Sequence, residues 1–101
     1  MASDKQFLDY IIEQLSECGG VTYRAMMGEY IIYFDGKTVA GIYDNRFLVK
    51  PTESAKRLMP CAAYELPYEG AKPMLLVGET DDRAFLAELI RAVYADLYGG
   101  K

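Results

Sequence analysis

The sequence contains no histidine and no tryptophan, and only two of its 101 residues are cysteines. Histidine is the commonest general base and the commonest metal ligand, so its absence weighs against acid–base catalysis and against a metal site. Cys18 and Cys61 form no CxxC pair, which in a reducing compartment predicts two free thiols. A small enzyme with Cys61 as its nucleophile is the least favoured of three hypotheses, because no histidine is available to activate the thiol. No cofactor is predicted.

The sequence also lacks a basic run and a long apolar run. Its formal net charge of −4 repels nucleic-acid phosphates. No stretch approaches the roughly 18 apolar residues of a membrane-spanning helix, and Met1–Lys5 lacks the basic-then-apolar order of a signal peptide. We therefore expect a cytoplasmic chain without a membrane partner. Direct nucleic-acid binding is the second hypothesis, and it requires the basic residues to gather on one side of the fold. They are Arg24, Lys37, Arg46, Lys50, Lys56, Arg57 and Lys72.

The stretch Arg24–Tyr43 is the best-defined part of the sequence. It holds the longest apolar run, Tyr30–Phe34, followed directly by Asp35-Gly36. An Asp-Gly pair suits the two positive-φ positions of a type I′ turn, whose twist matches that of antiparallel strands. The stretch therefore predicts the central hairpin of a sheet, with Lys37–Tyr43 as its second strand.

Periodicity and turn residues predict the remaining elements. Apolar residues at helical spacing indicate a first helix capped by Ser3 and ended by Gly19-Gly20, and a last helix capped by Thr80 or Asp81. The other predicted elements are strands Val21–Met27, Arg46–Lys50 and Met74–Val77, a short helix Glu53–Met59, an edge strand within Cys61–Leu66 and a loop Pro67–Pro73. Strands in a run between terminal helices indicate one α+β domain over residues 1–101. We expect an antiparallel meander with both terminal helices on one face.

The run Tyr30–Phe34 is apolar on both faces of its strand. If helices cover one face, the opposite face presents either the tyrosines or the isoleucines. A tyrosine-rich face tolerates water, because the ring is buried while the hydroxyl stays hydrated. The alternative is a surface for a protein partner or for a second copy of the chain in a homodimer. The sequence leaves both interpretations open.

Four segments carry a family resemblance. They read GVTYRAMMGEY (20–30), IYFDGKTVAGIYDNRFLVKPT (32–52), YEGAKPMLLVGE (68–79) and DDRAFLAELIRAVYADL (81–97). Together they resemble the N-terminal domain of the TfoX/Sxy family, bacterial regulators of competence for DNA transformation. The family commonly reads MFGEY where this chain has MMGEY. The resemblance implies a stand-alone relative of that domain, without the second, C-terminal domain of the full-length regulators.

The resemblance also implies a function. It implies a small α+β fold similar to the secretion-chaperone-like folds, no enzymatic activity, and a role in transcription through a protein partner. For the family that partner is the cyclic-AMP receptor protein. Our leading hypothesis is a non-enzymatic interaction domain that regulates competence genes by binding a transcription factor or a polymerase component.

The candidate partner-binding residues stand at positions that match the family's motifs. They are Arg24, Met27, Glu29 and Tyr30 around the GEY corner, and Lys50, Pro51, Lys72 and Pro73 in the loops. Replacing Arg24 or Tyr30 by alanine is predicted to weaken partner capture and to leave the fold intact. Glu29 has two further interpretations, as an exposed turn residue or as the ion-pair partner of Arg24 or Lys50.

Overall fold

The structure is a computed structural model that describes residues 3–99. Its elements are α1 (Lys5–Gln14), β1 (Val21–Met26), β2 (Glu29–Phe34), β3 (Lys37–Tyr43), β4 (Arg46–Val49), α2 (Glu53–Leu58), β5 (Tyr64–Glu65), β6 (Met74–Leu76) and α3 (Arg83–Tyr98). The strands form one open sheet in the order β1-β2-β3-β4-β6-β5, and every neighbouring pair is antiparallel. The predicted α+β class, with an antiparallel meander, is confirmed.

The meander of β1 to β4 is built on three two-residue turns. The turns are Met27-Gly28, Asp35-Gly36 and Asp44-Asn45, and both residues of each have positive φ, between 53° and 85°. This is the backbone of a type I′ turn, whose twist allows the flanking strands to stay paired. The type I′ turn predicted at Asp35-Gly36 is confirmed, and the other two turns repeat its geometry.

The two faces of β2 have different surroundings. Ile32 is fully buried in the core, and the Phe34 ring meets Tyr94 of α3 edge-on, with ring centroids 5.0 Å apart. Tyr30 shares this face because side chains alternate along a strand. Ile31 and Tyr33 therefore lie on the opposite face, which we call the outer face, and both are half-buried there. The outer face thus presents one isoleucine and one tyrosine from this strand, so the expectation that it presents either the tyrosines or the isoleucines is wrong.

Both terminal helices contribute to one core on the inner face of the sheet. Fully or almost fully buried residues in or next to the helices are Leu8, Ile11, Leu15, Leu86, Leu89, Ile90 and Val93. The strands and the residue after β6 contribute Ile32, Val39, Ala40, Ile42, Phe47, Val49, Leu75 and Val77. Side chains also link α1 to α3 and to the segment just before it. The Gln14 amide donates to the Thr80 carbonyl at 2.9 Å, and Arg83 contacts Glu13 at 3.1 Å. The expectation that both helices lie on one face is confirmed.

The helix ends differ from the prediction. Asp4, not Ser3, is the N-cap residue of α1, and the Ser3 hydroxyl donates instead to Glu29 Oε1 at 2.6 Å. Helix α1 ends at Gln14, before Gly19-Gly20. Asp82, and neither Thr80 nor Asp81, caps α3 by accepting from the Phe85 N–H at 3.0 Å. At the start of α1 the difference has a long-range cause, because Glu29 engages the Ser3 hydroxyl that was expected to cap the helix.

The loop between β5 and β6, residues 66–73, packs on the outer face. The Arg46 guanidinium bonds the Glu65 carboxylate at 2.9 Å and the Leu66 carbonyl at 3.0 Å, and Tyr43 and Tyr68 have ring centroids 6.2 Å apart. Leu48 projects to this face, because it pairs with Gly41 in register, yet it is fully buried. The part of the outer face around Leu48 is therefore covered by the chain itself.

Asp96 of α3 caps the short helix α2 from outside. Its carboxylate accepts from the Ser54 N–H at 2.8 Å and from the Ser54 hydroxyl at 3.0 Å. These hydrogen bonds hold the pKa of Asp96 below its ordinary value of 3.8. A depressed pKa in the folded state contributes stability above the ordinary pKa, and this contribution is lost as pH falls through the folded value.

We predict that the free energy of unfolding of the wild-type protein falls more steeply below pH 3.8 than that of Asp96→Asn. The asparagine amide of the variant cannot ionise, so unfolding of the variant is not linked to the uptake of a proton at this position. Urea unfolding followed by circular dichroism at several pH values measures the difference. Asp81→Asn is the matched control, because Asp81 is exposed and makes no side-chain hydrogen bond within residues 3–99. If the free energies of unfolding of the wild type and Asp96→Asn changed in parallel with pH, the lowered pKa of Asp96 would be contradicted.

Candidate functional site

Strand β1 forms one edge of the sheet and has β2 as its sole strand neighbour within the described residues. Five of its six residues are exposed. The two-residue turn places Met26 directly opposite Glu29, which makes Met26, Arg24 and Thr22 the hydrogen-bonded positions towards β2. The next such pair is confirmed by the bond from the Asp35 N–H to the Gly20 carbonyl at 2.9 Å. The backbone groups of the alternate residues therefore point away from the sheet.

The outward-pointing groups belong to Val21, Tyr23 and Ala25. Each offers one N–H and one C=O, so the free edge carries three donors and three acceptors at strand spacing. No backbone hydrogen bond to another described residue engages them. We call Val21–Met27, with this row of free groups, the β1 edge. It is a preformed template for one more strand.

The side chains of the β1 edge are apolar apart from one charge and the hydroxyls of Thr22 and Tyr23. Tyr23 is 44% exposed and lies on the inner-face side, where its ring meets Tyr30 edge-on at 6.1 Å. Met26 is 49% exposed, and Met27, at the tip of the turn, is 97% exposed. Arg24 lies on the outer face opposite Ile31, and it makes no ion pair or side-chain hydrogen bond with residues 3–99. The edge thus combines unpaired backbone, apolar side chains and one free cation.

Glu29 links three segments of the chain. Its Oε1 atom accepts from the Ser3 hydroxyl at 2.6 Å and from the Asp44 N–H at 3.1 Å, while Ser3 Oγ accepts from the Asn45 N–H at 3.0 Å. This arrangement ties the start of the described chain to two turns at one end of the sheet. Both further interpretations of Glu29 are wrong, because the residue is half-buried and contacts neither Arg24 nor Lys50. Its role as a partner contact remains a prediction.

Tyr30 is half-buried and packs against the core on the inner face. Removing its ring would take contacts from both the core and Tyr23. We therefore expect Tyr30→Ala to lower stability as well as any binding. Arg24→Ala removes no such contact, so Arg24 is the cleaner probe of a surface role.

The other predicted residues lie at the opposite end of the sheet from Met27 and Glu29. Lys50 directly follows β4, with its N–H bonded to the Val39 carbonyl at 3.3 Å, and Pro51 comes next. Lys72 and Pro73 are exposed and precede β6, which pairs antiparallel with β4 and so begins where β4 ends. The structure brings these four residues to one end of the sheet. Of the eight candidates, only Arg24 and Met27 belong to the β1 edge.

The basic residues do not gather on one face of residues 3–99. Arg46 pairs with Glu65 at 2.9 Å, and Lys56 contacts Glu53 at 3.7 Å. Lys37, at the far end of β3 from Arg46, lies over the Tyr98 ring with its Nζ 5.8 Å from the centroid. Basic side chains that are paired with carboxylates or lie far apart do not form the continuous basic surface that binds a phosphate backbone.

Both cysteines are free thiols, as predicted. Cys18 is buried, and burial raises its pKa, although the nearby Arg91 charge offsets part of the effect. A raised pKa is the opposite of what an activated nucleophile needs. Cys61 is exposed at the rim of an open cavity of about 380 Å³, lined mostly by apolar groups such as Leu58 and Leu76. Among residues 3–99, no three His, Cys, Asp or Glu side chains are placed together so that they could hold a metal ion.

None of the helices in the described chain is long and apolar enough to cross a membrane.

The fold and the exposed edge define a small α+β domain whose open antiparallel sheet has helices on one face and a free strand at one side. The chain belongs to the TfoX N-terminal domain family, whose model matches residues 13–96. It is also 31% identical over 98 residues to an uncharacterized 12.7 kDa protein in the trpE 5′ region of Spirochaeta aurantia, an alignment covering 96% of this chain and 85% of that protein. The resemblance is therefore confirmed, and the family is regulatory in type and related to competence.

Proposed function

We propose that this chain is a non-enzymatic regulatory domain that acts in the transcription of competence genes by binding another protein. Membership of the TfoX N-terminal domain family supports the regulatory role. The observation that carries the proposal is the β1 edge, where the outward N–H and C=O groups of the six-residue strand β1 are unpaired within residues 3–99. Such an edge is suited to main-chain recognition by a protein.

The other surfaces favour a protein partner over the alternatives. The cavities of about 380 and 340 Å³ are partly open to solvent, in contrast to the enclosed pockets that hold small ligands. The net charge of −4 and the scattered basic residues disfavour a nucleic-acid phosphate backbone. A transcription factor or a polymerase component is the partner that this role requires, and such a partner implies a cytoplasmic location.

The test is a competence-gene reporter in cells from which this chain has been deleted. We expect deletion to lower reporter expression and the wild-type chain to restore it. Arg24→Glu should restore it poorly, because the substitution reverses the free charge of the β1 edge. Lys72→Glu makes the same charge reversal at an exposed candidate residue at the other end of the sheet, so the comparison of the two variants tells which end binds the partner.

Thermal melts of both variants show whether they are folded. If deletion leaves reporter expression unchanged, the proposed function is wrong. If the purified wild-type chain instead retards promoter DNA by itself and loses that DNA steeply with salt, direct nucleic-acid binding replaces it. Restoration by Arg24→Glu with failure of Lys72→Glu would move the binding surface to the loop end of the sheet.

A further inference from the structure

We infer that the β1 edge binds an extended segment of another protein as a seventh strand, with an acidic residue of that segment placed against Arg24. The inference rests on the proposed protein-binding function and specifies the site and the chemistry of its occupant. Its basis is the row of outward backbone groups on Val21, Tyr23 and Ala25 together with the free Arg24 guanidinium.

The two edges of the sheet differ in their protection. Natural sheets protect their edges with short strands, proline, lysine or a bulge. The far edge, β5, is only two residues long. Strand β1 has six residues, contains neither proline nor lysine, and pairs with β2 in unbroken register. The edge that remains open to strand addition is therefore β1.

A second copy of the chain is a poor occupant of this edge. Antiparallel self-pairing that uses every free group must place Tyr23 opposite Tyr23 and Val21 opposite Ala25 of the second copy. Arg24 then faces Thr22 of the second copy, and the two Arg24 residues become diagonal neighbours on one face, about 7–8 Å apart. Strand β1 contains no acidic residue that could balance them. Like charges at this spacing oppose self-association.

The same charge selects a different occupant. In an added strand, alternate side chains fall on the outer face beside Thr22, Arg24 and Met26. A carboxylate at the position facing Arg24 forms a cross-strand ion pair, while its neighbours on the inner-face side meet the exposed part of Tyr23 and need only be small or apolar. The expected ligand is thus an extended segment of alternating pattern with a central Asp or Glu.

The test is selection of random 12-residue peptides displayed against the immobilised full-length chain. The enriched peptides are then synthesised and their binding is measured by fluorescence anisotropy. We expect enrichment of an acidic residue within an alternating apolar pattern, and weaker binding when that residue is replaced by lysine. Arg24→Glu should reverse this preference, because the charge that selects the carboxylate has changed sign.

A backbone variant tests the mode of binding. Ala25→Pro removes an outward N–H and costs no bond to β2, so the strand should remain paired. We expect it to weaken peptide binding by about tenfold or more, since it deletes an intermolecular hydrogen bond and obstructs the edge. Ala84→Pro is the matched control, because Ala84 is exposed in the first turn of α3, where proline is tolerated.

Each outcome bears on the inference. Selection of no binder, no preference for acidic residues, or unchanged binding by a folded Ala25→Pro variant would overturn it. A dimer in sedimentation velocity that Ala25→Pro dissociates would assign the edge to a second copy instead. The competence-gene reporter distinguishes failure of the strand-addition site from failure of the regulatory function. If deletion lowers reporter expression but Ala25→Pro restores it fully, the regulatory function is supported and the strand-addition site is wrong.

Discussion

Replacing Phe47 by alanine is expected to lower the free energy of unfolding by about 3–5 kcal/mol. Phe47 is 1% exposed and lies on β4, near the middle of the sheet, where its ring faces the helix layer. The truncation removes a large apolar group and leaves a cavity that the flanking strands cannot close, because their backbones are fixed by hydrogen bonds. For a domain with a typical stability of about 5–15 kcal/mol, this is a large fraction of the total.

Urea unfolding of the wild type and Phe47→Ala, followed by circular dichroism, measures the effect. Phe47→Leu keeps most of the volume and should cost less. Tyr64→Ala is the exposed control, since Tyr64 is 57% exposed and its loss should change stability little. A loss below about 1 kcal/mol for Phe47→Ala would mean that the side chain is not in a packed core, and would contradict the arrangement of β4 under the helices.

Arg46→Met is expected to release the loop of residues 66–73 from the outer face. Three bonds hold this guanidinium: Nε donates to the Tyr43 carbonyl at 3.1 Å, and the terminal nitrogens bond Glu65 at 2.9 Å and the Leu66 carbonyl at 3.0 Å. Methionine keeps the apolar stem but removes every donor. We expect a loss of about 1.5–3 kcal/mol, at the lower end because the side chains of Arg46 and Glu65 are 26% and 37% exposed and partly screened by water.

Arg46→Met should free the loop of residues 66–73 as well as lower the free energy of unfolding of the whole domain. Phe47→Ala should lower only the free energy of unfolding of the whole domain. Limited proteolysis should cut Arg46→Met within residues 66–73 while the remainder stays protected, because this loop is anchored mainly through Arg46. Lys56→Met is the matched control, since the Lys56–Glu53 pair is exposed and should contribute at most about 0.5 kcal/mol. Equal proteolysis of both variants would show that another contact holds the loop.

Most of the local structure could be predicted from residues close together in the chain. The Asp35-Gly36 turn and the pattern of Lys37–Tyr43 were sufficient for the central hairpin, since a type I′ turn sets the pairing of the strands on either side. Both terminal helices were visible from their apolar spacing, although Leu97, which continues the apolar spacing of α3, is 39% exposed.

The candidate site was only partly predictable, because it depends on which groups remain unpaired. The GEY corner includes Arg24 and Met27, which lie on the β1 edge, but also Glu29, which bonds Ser3 and Asp44 within the chain. Lys50 and Lys72 lie at the other end of the sheet. The turn at Met27-Gly28 was a signal that could have identified the outward backbone groups, since its two-residue length sets the hydrogen-bonding alternation of β1.

The sequence by itself determined the order of the elements, the Asp35-Gly36 turn and the α+β class, because turn chemistry and hydrophobic periodicity act over a few residues. Tertiary structure alone decided that β6 lies between β4 and β5, that Arg46 anchors the loop on the outer face, and that β1 is the long edge left open. These features depend on contacts between residues far apart in the chain. Strand order and the pairing of buried polar groups are settled when distant segments compete for the same hydrogen bonds and the same core, and no local pattern records the outcome.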